Sequence, residues 1–123
     1  MTLFRRLIVL LAGLFGTAGV AAAAAGAHAF SDPALTTAAT FLMIGACALA
    51  ATAALAIAQG PGWSFADVSG GMIALGTTLF SGALAGRVVW NVVIFPMAAP
   101  TGGTILMAGW LVLALAAFRR RGG

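Results

Sequence analysis

The chain has 123 residues, of which 63% are hydrophobic and 7% are charged, and its mean hydropathy is +1.13. A soluble globular domain has about a quarter of its residues charged, so this composition excludes an ordinary soluble domain and predicts an integral membrane protein. The net charge of +4 comes from arginines that border apolar runs, and we therefore expect membrane lipids as their partners and no nucleic acid.

The charged residues divide the chain into four long uncharged intervals. A hydrocarbon core of about 30 Å takes about 20 helical residues, and each interval is long enough for one crossing. The sequence therefore predicts an all-α integral membrane four-helix bundle that forms a single domain over residues 1–123. The predicted helices are at about 7–27, 34–58, 67–89 and 101–118.

The first predicted helix has a competing interpretation. The arginine pair before it and Ala27-His28-Ala29 after it also fit a secretory signal peptide with a small-x-small cleavage site. The apolar stretch is about 21 residues long, however, and a signal peptide has about 7 to 15. We expect the segment to be retained as a transmembrane helix.

The second and third helices have recognisable starts. Ser31 or Asp32 can cap the second helix, because Pro33 suits a first helical turn. After it, QGPGW at 59–63 is the strongest turn signal in the chain. Asp67 follows Ser64 by three residues at the start of the third helix, which favours capping, with attraction to Arg5, Arg6 or the C-terminal arginines as a secondary interpretation.

The connection to the fourth helix is too apolar for an ordinary exposed loop. Residues 88–99, with Trp90, can continue the third helix, lie flat in the membrane interface or cover a neighbouring protein. Pro100 is expected to end helical structure, and Gly102-Gly103 to form a close turn into the fourth helix. Gly109 would then admit a neighbour near its backbone while Trp110 fills the space beside it.

Small residues are expected to hold the helices together, because lipid tails are as apolar as leucine and give helices no hydrophobic reason to associate. The third helix has a GxxxG motif at Gly82 and Gly86. Packing within the chain is the favoured use of this motif, and a homo-oligomer is the alternative.

His28, Asp32 and Arg87 are the ionisable residues assigned to the outer side. A pair between Asp32 and Arg87 is one expectation, and the alternative is that Arg87 extends to lipid while Asp32 only caps its helix. His28 is expected to be an interfacial polar residue; a proton relay or haem ligand is the less favoured interpretation.

Orientation follows from the positions of the arginines. Arg5 and Arg6 precede the first helix and residues 119–121 follow the last, so the positive-inside rule places both termini in the cytoplasm. We expect a multi-pass protein of the bacterial inner (cytoplasmic) membrane.

Four motifs fall in the order and spacing of a known family: GAHAF at 26–30, FLMIGACAL at 41–49, GTTLFSGALAG at 76–86 and APTGGTILMAGWLVLAL at 99–115. The chain resembles the domain of unknown function 423 family, the bacterial relatives of mitochondrial transmembrane protein 256. The resemblance covers nearly the whole chain and implies four transmembrane helices with no established enzymatic activity. The family usually has a Tyr-rich stretch with a His where this chain has Phe41, Ile44 and Gly45, and a Gly where it has Ala29.

The ionisable residues assemble into no catalytic, cofactor or metal site that the sequence reveals. The sequence therefore favours a role in which the protein packs against other proteins over a catalytic role. We expect a small non-catalytic accessory or assembly subunit of a larger membrane complex, with other membrane subunits as partners. The alternative is a transporter or channel for a small or lipidic solute, although few polar residues reach mid-depth. The positions expected to matter for structure or interaction are Gly26, His28, Asp32, Gly82, Gly86, Arg87, Trp90, Pro100, Gly102, Gly103, Gly109 and Trp110.

Overall fold

A computed structural model describes residues 2–93 and 96–118, which form an all-α fold with no strand in those ranges. The elements are α1 (Leu3–His28), α2 (Pro33–Gln59), α3 (Phe65–Trp90), α4 (Ala98–Leu115) and a short 3-10 turn (Ala116–Phe118). All four helices are long and apolar enough to cross a membrane. This confirms the predicted fold class. The C-terminal arginine cluster lies outside the described residues.

Side chains cap three of the helices at their N-termini. Thr2 accepts a hydrogen bond from the Arg5 N–H at 3.2 Å, and Asp32 accepts one from the Ala34 N–H at 2.9 Å. Pro33 is the first residue of α2, as predicted. Each cap satisfies an N–H that has no partner within its own helix.

The boundaries of α1 and α4 differ from the prediction. α1 begins at Leu3, so Arg5 and Arg6 are helical rather than preceding the helix. α4 begins at Ala98 and includes Pro100 and Gly102-Gly103, so the prediction that these residues end a helix and form a turn was wrong. Proline is accommodated because the N–H groups of a first helical turn have no acceptor there in any case.

The apolar connection is shorter than the sequence suggested. α3 continues to Trp90, which confirms helical continuation for 88–90, and Asn91 follows in a left-handed conformation with φ of 52°. The Val92 N–H then donates to the Gly86 carbonyl at 3.1 Å, closing the helix end. The turn predicted at QGPGW is confirmed, because Gly60 and Gly62 there have positive φ values of 99° and 89°.

Close approaches between helices show that consecutive helices are antiparallel. A Cβ at Gly16 would lie 3.6 Å from the Ala46 Cβ, and one at Gly26 would lie 3.3 Å from the Thr36 Oγ1. Residues later in α1 thus contact residues earlier in α2, as in an antiparallel pair. The same relation joins α2 to α3 and α3 to α4. The two described ends of the chain therefore lie at the same end of the bundle.

The packing order places α2 and α3 at the centre. α1 packs mainly on α2, α2 on α3 and α3 on α4, while α1 and α3 touch over a small area. The buried core contains Ile8, Phe15, Leu49, Ile73 and Leu106, with at least one residue from every helix. The bundle is therefore a four-helix arrangement whose outer helices, α1 and α4, leave grooves beside the central pair.

Candidate functional site

A buried ion pair joins the start of α1 to the start of α3. The Arg5 Nε donates to Asp67 Oδ1 at 3.0 Å and the Arg5 Nη2 donates to Asp67 Oδ2 at 3.1 Å. The two side chains are 6% and 4% exposed. Paired N–H donors from one guanidinium to one carboxylate form a strong and directional contact.

Neighbouring groups add further hydrogen bonds to this pair. The Ser64 N–H and hydroxyl donate to Asp67 Oδ2 at 3.0 and 3.1 Å, and the Asp67 N–H donates to the Ser64 Oγ at 3.3 Å. The Arg5 Nη2 also donates to the Gly62 carbonyl at 3.0 Å. The sequence predicted the cap of α3 correctly, and the structure selects Arg5 as the cation that Asp67 attracts.

Two aromatic rings lie beside the ion pair. Phe4 and Trp63 lie with ring centroids 4.9 Å apart and planes tilted by 54°. Together with Arg5, Ser64 and Asp67 they form the ion-pair corner. A small open pocket of about 120 Å³ lies at this corner and is lined by Phe4, Arg5, Trp63 and Asp67 among others. Because the pair is buried and hydrogen-bonded, this corner is a structural contact between α1 and α3.

The ionisable residues at the opposite end of the bundle are not brought together. His28, Asp32 and Arg87 are all exposed, and within the described part of the chain no ion pair or hydrogen bond links Asp32 to Arg87. The predicted pair is therefore absent. Asp32 instead caps α2, which was the alternative, and its carboxylate accepts a hydrogen bond from the Ala34 N–H.

Glycine allows α3 and α4 to approach at backbone distance. A Cβ at Gly76 would lie 2.9 Å from the Gly102 carbonyl oxygen, and a Cβ at Gly102 would lie 2.5 Å from the Phe80 nitrogen. Further along, the Ser69 hydroxyl donates to the Gly109 carbonyl at 2.8 Å. The close neighbour expected at Gly109 fits this contact, whereas Gly102, which was expected in a turn, lies within α4 and packs against α3.

The α2–α3 contact uses residues that the sequence analysis did not select. Gly45 faces Thr77, where a Cβ would lie 2.9 Å from the Thr77 Oγ1, and Gly70 faces Thr52, where it would lie 2.8 Å from the Thr52 Oγ1. The sequence signal that could have found this contact is reciprocal: each helix has a glycine that lies opposite a threonine of the other helix when the two are antiparallel. Gly86, by contrast, does not contact another helix. A Cβ built there would lie 3.7 Å from the carbonyl oxygen of Val92, just after the end of α3.

Two apolar grooves flank the central helices. The α1–α3 groove has a volume of about 530 Å³, and its lining includes Ala18, Ala22, Thr78, Ser81, Gly82 and Trp90. The α2–α4 groove has a volume of about 500 Å³, and its lining includes Phe41, Phe80, Pro100, Gly103, Thr104 and Trp110. Five predicted positions thus line grooves: Gly82, Trp90, Pro100, Gly103 and Trp110.

No group of three or more His, Cys, Asp or Glu side chains suited to a metal ion occurs in residues 2–93 and 96–118. Cys47 is a free, exposed thiol on α2. The described residues present apolar grooves, small-residue surfaces and a few hydroxyl groups rather than a cluster of reactive side chains.

Four apolar helices joined by short connections and packed through glycine define a small multi-pass α-helical membrane protein. The chain belongs to the family described as Protein of unknown function (DUF423), whose sequence model matches residues 22–103. That match confirms the family resemblance drawn from the motifs. No curated protein and no solved structure matches the chain.

Proposed function

We propose that this protein is a small non-catalytic accessory or assembly subunit that packs against a larger complex in the bacterial inner membrane, with both termini in the cytoplasm. The arginines at the two chain ends support that orientation through the positive-inside rule. The antiparallel packing, which puts both described ends at one end of the bundle, is compatible with it.

The observation that carries the proposal is the unused surface of α1. The most apolar stretch of α1 has 11% of its residues buried within the chain, whereas that of α2 has 33%. α1 contacts α2 through Gly16 and Gly19, yet a Cβ at Gly13 would meet nothing within 4 Å. α1 therefore has a second face, made mostly of small residues, that has no partner among the described residues.

That second face, the open face of α1, consists of Gly13, Thr17, Val20 and Ala24, all of them exposed. The Thr17 hydroxyl donates to the Gly13 carbonyl at 3.0 Å, so it adds no unpaired donor to the surface. Small residues four apart let another helix approach closely in a bilayer, where packing rather than hydrophobicity drives association. A transmembrane helix of a partner subunit is the occupant that this surface suits.

Purification in a gentle detergent followed by native mass spectrometry tests the proposal. We expect the chain to be recovered in stoichiometric amounts with one specific membrane complex, and Gly13→Leu or Ala24→Leu to abolish that recovery. Ala54→Leu, at an exposed position of α2, serves as the matched control and should leave it intact. Recovery that is unchanged by the α1 substitutions would refute this use of the open face.

A transport function is the second candidate, and one observation favours it. The hydroxyls of Thr77 and Ser81 are buried near the middle of α3 without a hydrogen-bond partner in the described structure. Polar groups at mid-depth commonly line solute pathways. A lone monomer or homo-oligomer with a hydrated cavity in the same purification would favour transport over the accessory role.

A further inference from the structure

The guanidinium of Arg5 has one nitrogen that the ion pair does not use. The Nε and Nη2 atoms donate to the Asp67 carboxylate, and Nη2 also donates to the Gly62 carbonyl. Nη1 donates to no acceptor among the described residues, although the Arg5 side chain is only 6% exposed. A buried arginine thus retains N–H groups that call for an acceptor.

This free nitrogen can be reached from outside the protein. Arg5 Nη1 is not among the unpaired side-chain atoms that are shut off from the surface in the described part of the chain. Arg5 also lines the open pocket of about 120 Å³ at the ion-pair corner. Because Nε and Nη2 are already engaged, Nη1 is the guanidinium nitrogen available to a molecule in that pocket.

The ion pair holds this nitrogen in place. Paired hydrogen bonds to one carboxylate fix the plane of a guanidinium. A ligand of Nη1 would therefore meet a donor that is already oriented, whereas a mobile surface arginine loses side-chain freedom when it binds. Asp67 thus positions Arg5 for a contact on the opposite side of the guanidinium.

Other groups beside the pocket are also donors. Thr2 lines the pocket, and because its Oγ1 accepts from the Arg5 N–H, its hydroxyl hydrogen remains able to donate. The N–H groups of Leu3 and Phe4, in the first turn of α1, have no acceptor within their helix. Several donors at the start of a helix favour an anion with more than one acceptor oxygen.

The charge of the corner is compatible with an anion. The Asp67 carboxylate lines the pocket as well, but it is paired with Arg5 and accepts two hydrogen bonds from Ser64. Arg6 is exposed and forms no ion pair within the described ranges. Two arginines and one aspartate leave a net positive charge at the start of α1.

We propose that the pocket at the ion-pair corner binds a phosphate group, which a phospholipid headgroup and inorganic phosphate can both supply. The phosphate oxygens accept hydrogen bonds from Arg5 Nη1 and from the Thr2 hydroxyl. Trp63, which lines the pocket and is 69% exposed, provides an apolar wall for the glycerol and acyl part of a lipid. This inference does not depend on the accessory role, because it concerns the ion-pair corner and not the open face of α1.

Native mass spectrometry of the full chain in a neutral detergent tests the site. Phosphatidylglycerol is titrated against diacylglycerol with the same acyl chains, which lacks the phosphate. We expect a saturable one-to-one adduct with phosphatidylglycerol only, and slower hydrogen exchange at residues 3–8 and 62–68 when it forms. Inorganic phosphate is then added as a competitor: displacement of the lipid shows that phosphate alone suffices, and no displacement shows that the site takes the lipid headgroup.

Two arginine variants separate a defined site from general attraction to positive charge. Arg5→Lys keeps a positive charge beside Asp67 but presents no second nitrogen to the pocket. It should weaken binding about tenfold, the effect of one hydrogen bond to a charged group. Arg6→Gln removes an exposed charge and should weaken binding at most about threefold, because exposed charges interact weakly.

A third variant keeps the test decisive if Arg5→Lys does not fold. Thr2→Ala removes a donor at the exposed start of α1 and should weaken binding about fivefold. Thermal unfolding of each variant checks that the fold is retained. Equal adducts with phosphatidylglycerol and diacylglycerol would overturn the proposal, and so would a larger loss of binding with Arg6→Gln than with Arg5→Lys and Thr2→Ala.

Discussion

At the scale of single residues, the two aspartates show how similar sequence positions acquire different roles. Asp32 and Asp67 both lie at a helix start, but Asp32 is exposed and only caps, whereas Asp67 is buried against Arg5. The sequence alone predicted both caps. It could not select Arg5 over Arg6, because that choice depends on which arginine of α1 faces α3.

The first prediction compares these two aspartates. Asp67→Ala leaves a buried guanidinium without its carboxylate, and we expect it to lower the free energy of unfolding by about 3 kcal/mol. Asp32→Ala loses one cap and should cost about 1 kcal/mol. Thermal or denaturant unfolding in detergent measures both, and equal losses would contradict the structural role assigned to the ion-pair corner.

The second prediction concerns Thr77, whose buried hydroxyl faces Gly45 without a partner. Thr77→Val keeps the shape of the side chain and removes the unpaired hydroxyl. We expect the free energy of unfolding to rise by about 1 kcal/mol, since an unsatisfied buried polar group is destabilising. A loss of stability instead would reveal a hydrogen bond to Thr77 in the folded protein.

At the scale of helices, the glycines set the distances between neighbours. Gly102 and Gly103 are adjacent in α4 but face different surroundings: a Cβ at Gly102 would lie 2.8 Å from the Gly76 carbonyl oxygen, and one at Gly103 would lie 3.7 Å from the Phe80 Cδ1. The sequence could not separate these two residues, because both belong to the same GG pair.

The third prediction uses that pair as its own control. Gly102→Ala forces α3 and α4 apart and should lower the free energy of unfolding by about 2 kcal/mol. Gly103→Ala meets only ordinary contact and should be neutral or raise the free energy by up to about 1 kcal/mol, because alanine favours helix. The reverse order of stability would mean that the α3–α4 crossing lies elsewhere.

The existence and order of the four helices could be predicted from hydropathy and charge, but their ends depended on local contacts. α1 extends to Leu3 because Thr2 caps it and Arg5 forms an ion pair with Asp67. α4 starts at Ala98 because proline is tolerated in a first turn. Gly45 is the contact point for Thr77, a relation that only the α2–α3 register reveals.

At the scale of the whole molecule, α1 belongs to the packed structure. Ile8 and Phe15 of α1 lie in the core, and Arg5 supplies the cation for Asp67. The most apolar stretch of the same helix has the smallest share of buried residues among the four helices. α1 therefore serves both the fold and the surface proposed for a partner subunit. Sequence patterns could not separate these two uses, because both favour small residues.

The central claim is that the chain crosses a bilayer four times with both ends on one side, and labelling of single cysteines tests it most directly. In a Cys47→Ala background, Cys replaces Thr2, Ser31, Pro61, Met97 or Phe118, which are all exposed near helix ends. A membrane-impermeant maleimide should label positions 31 and 97 in right-side-out vesicles, and positions 2, 61 and 118 only in inverted vesicles. Labelling of positions 2 and 118 from opposite sides would contradict the account.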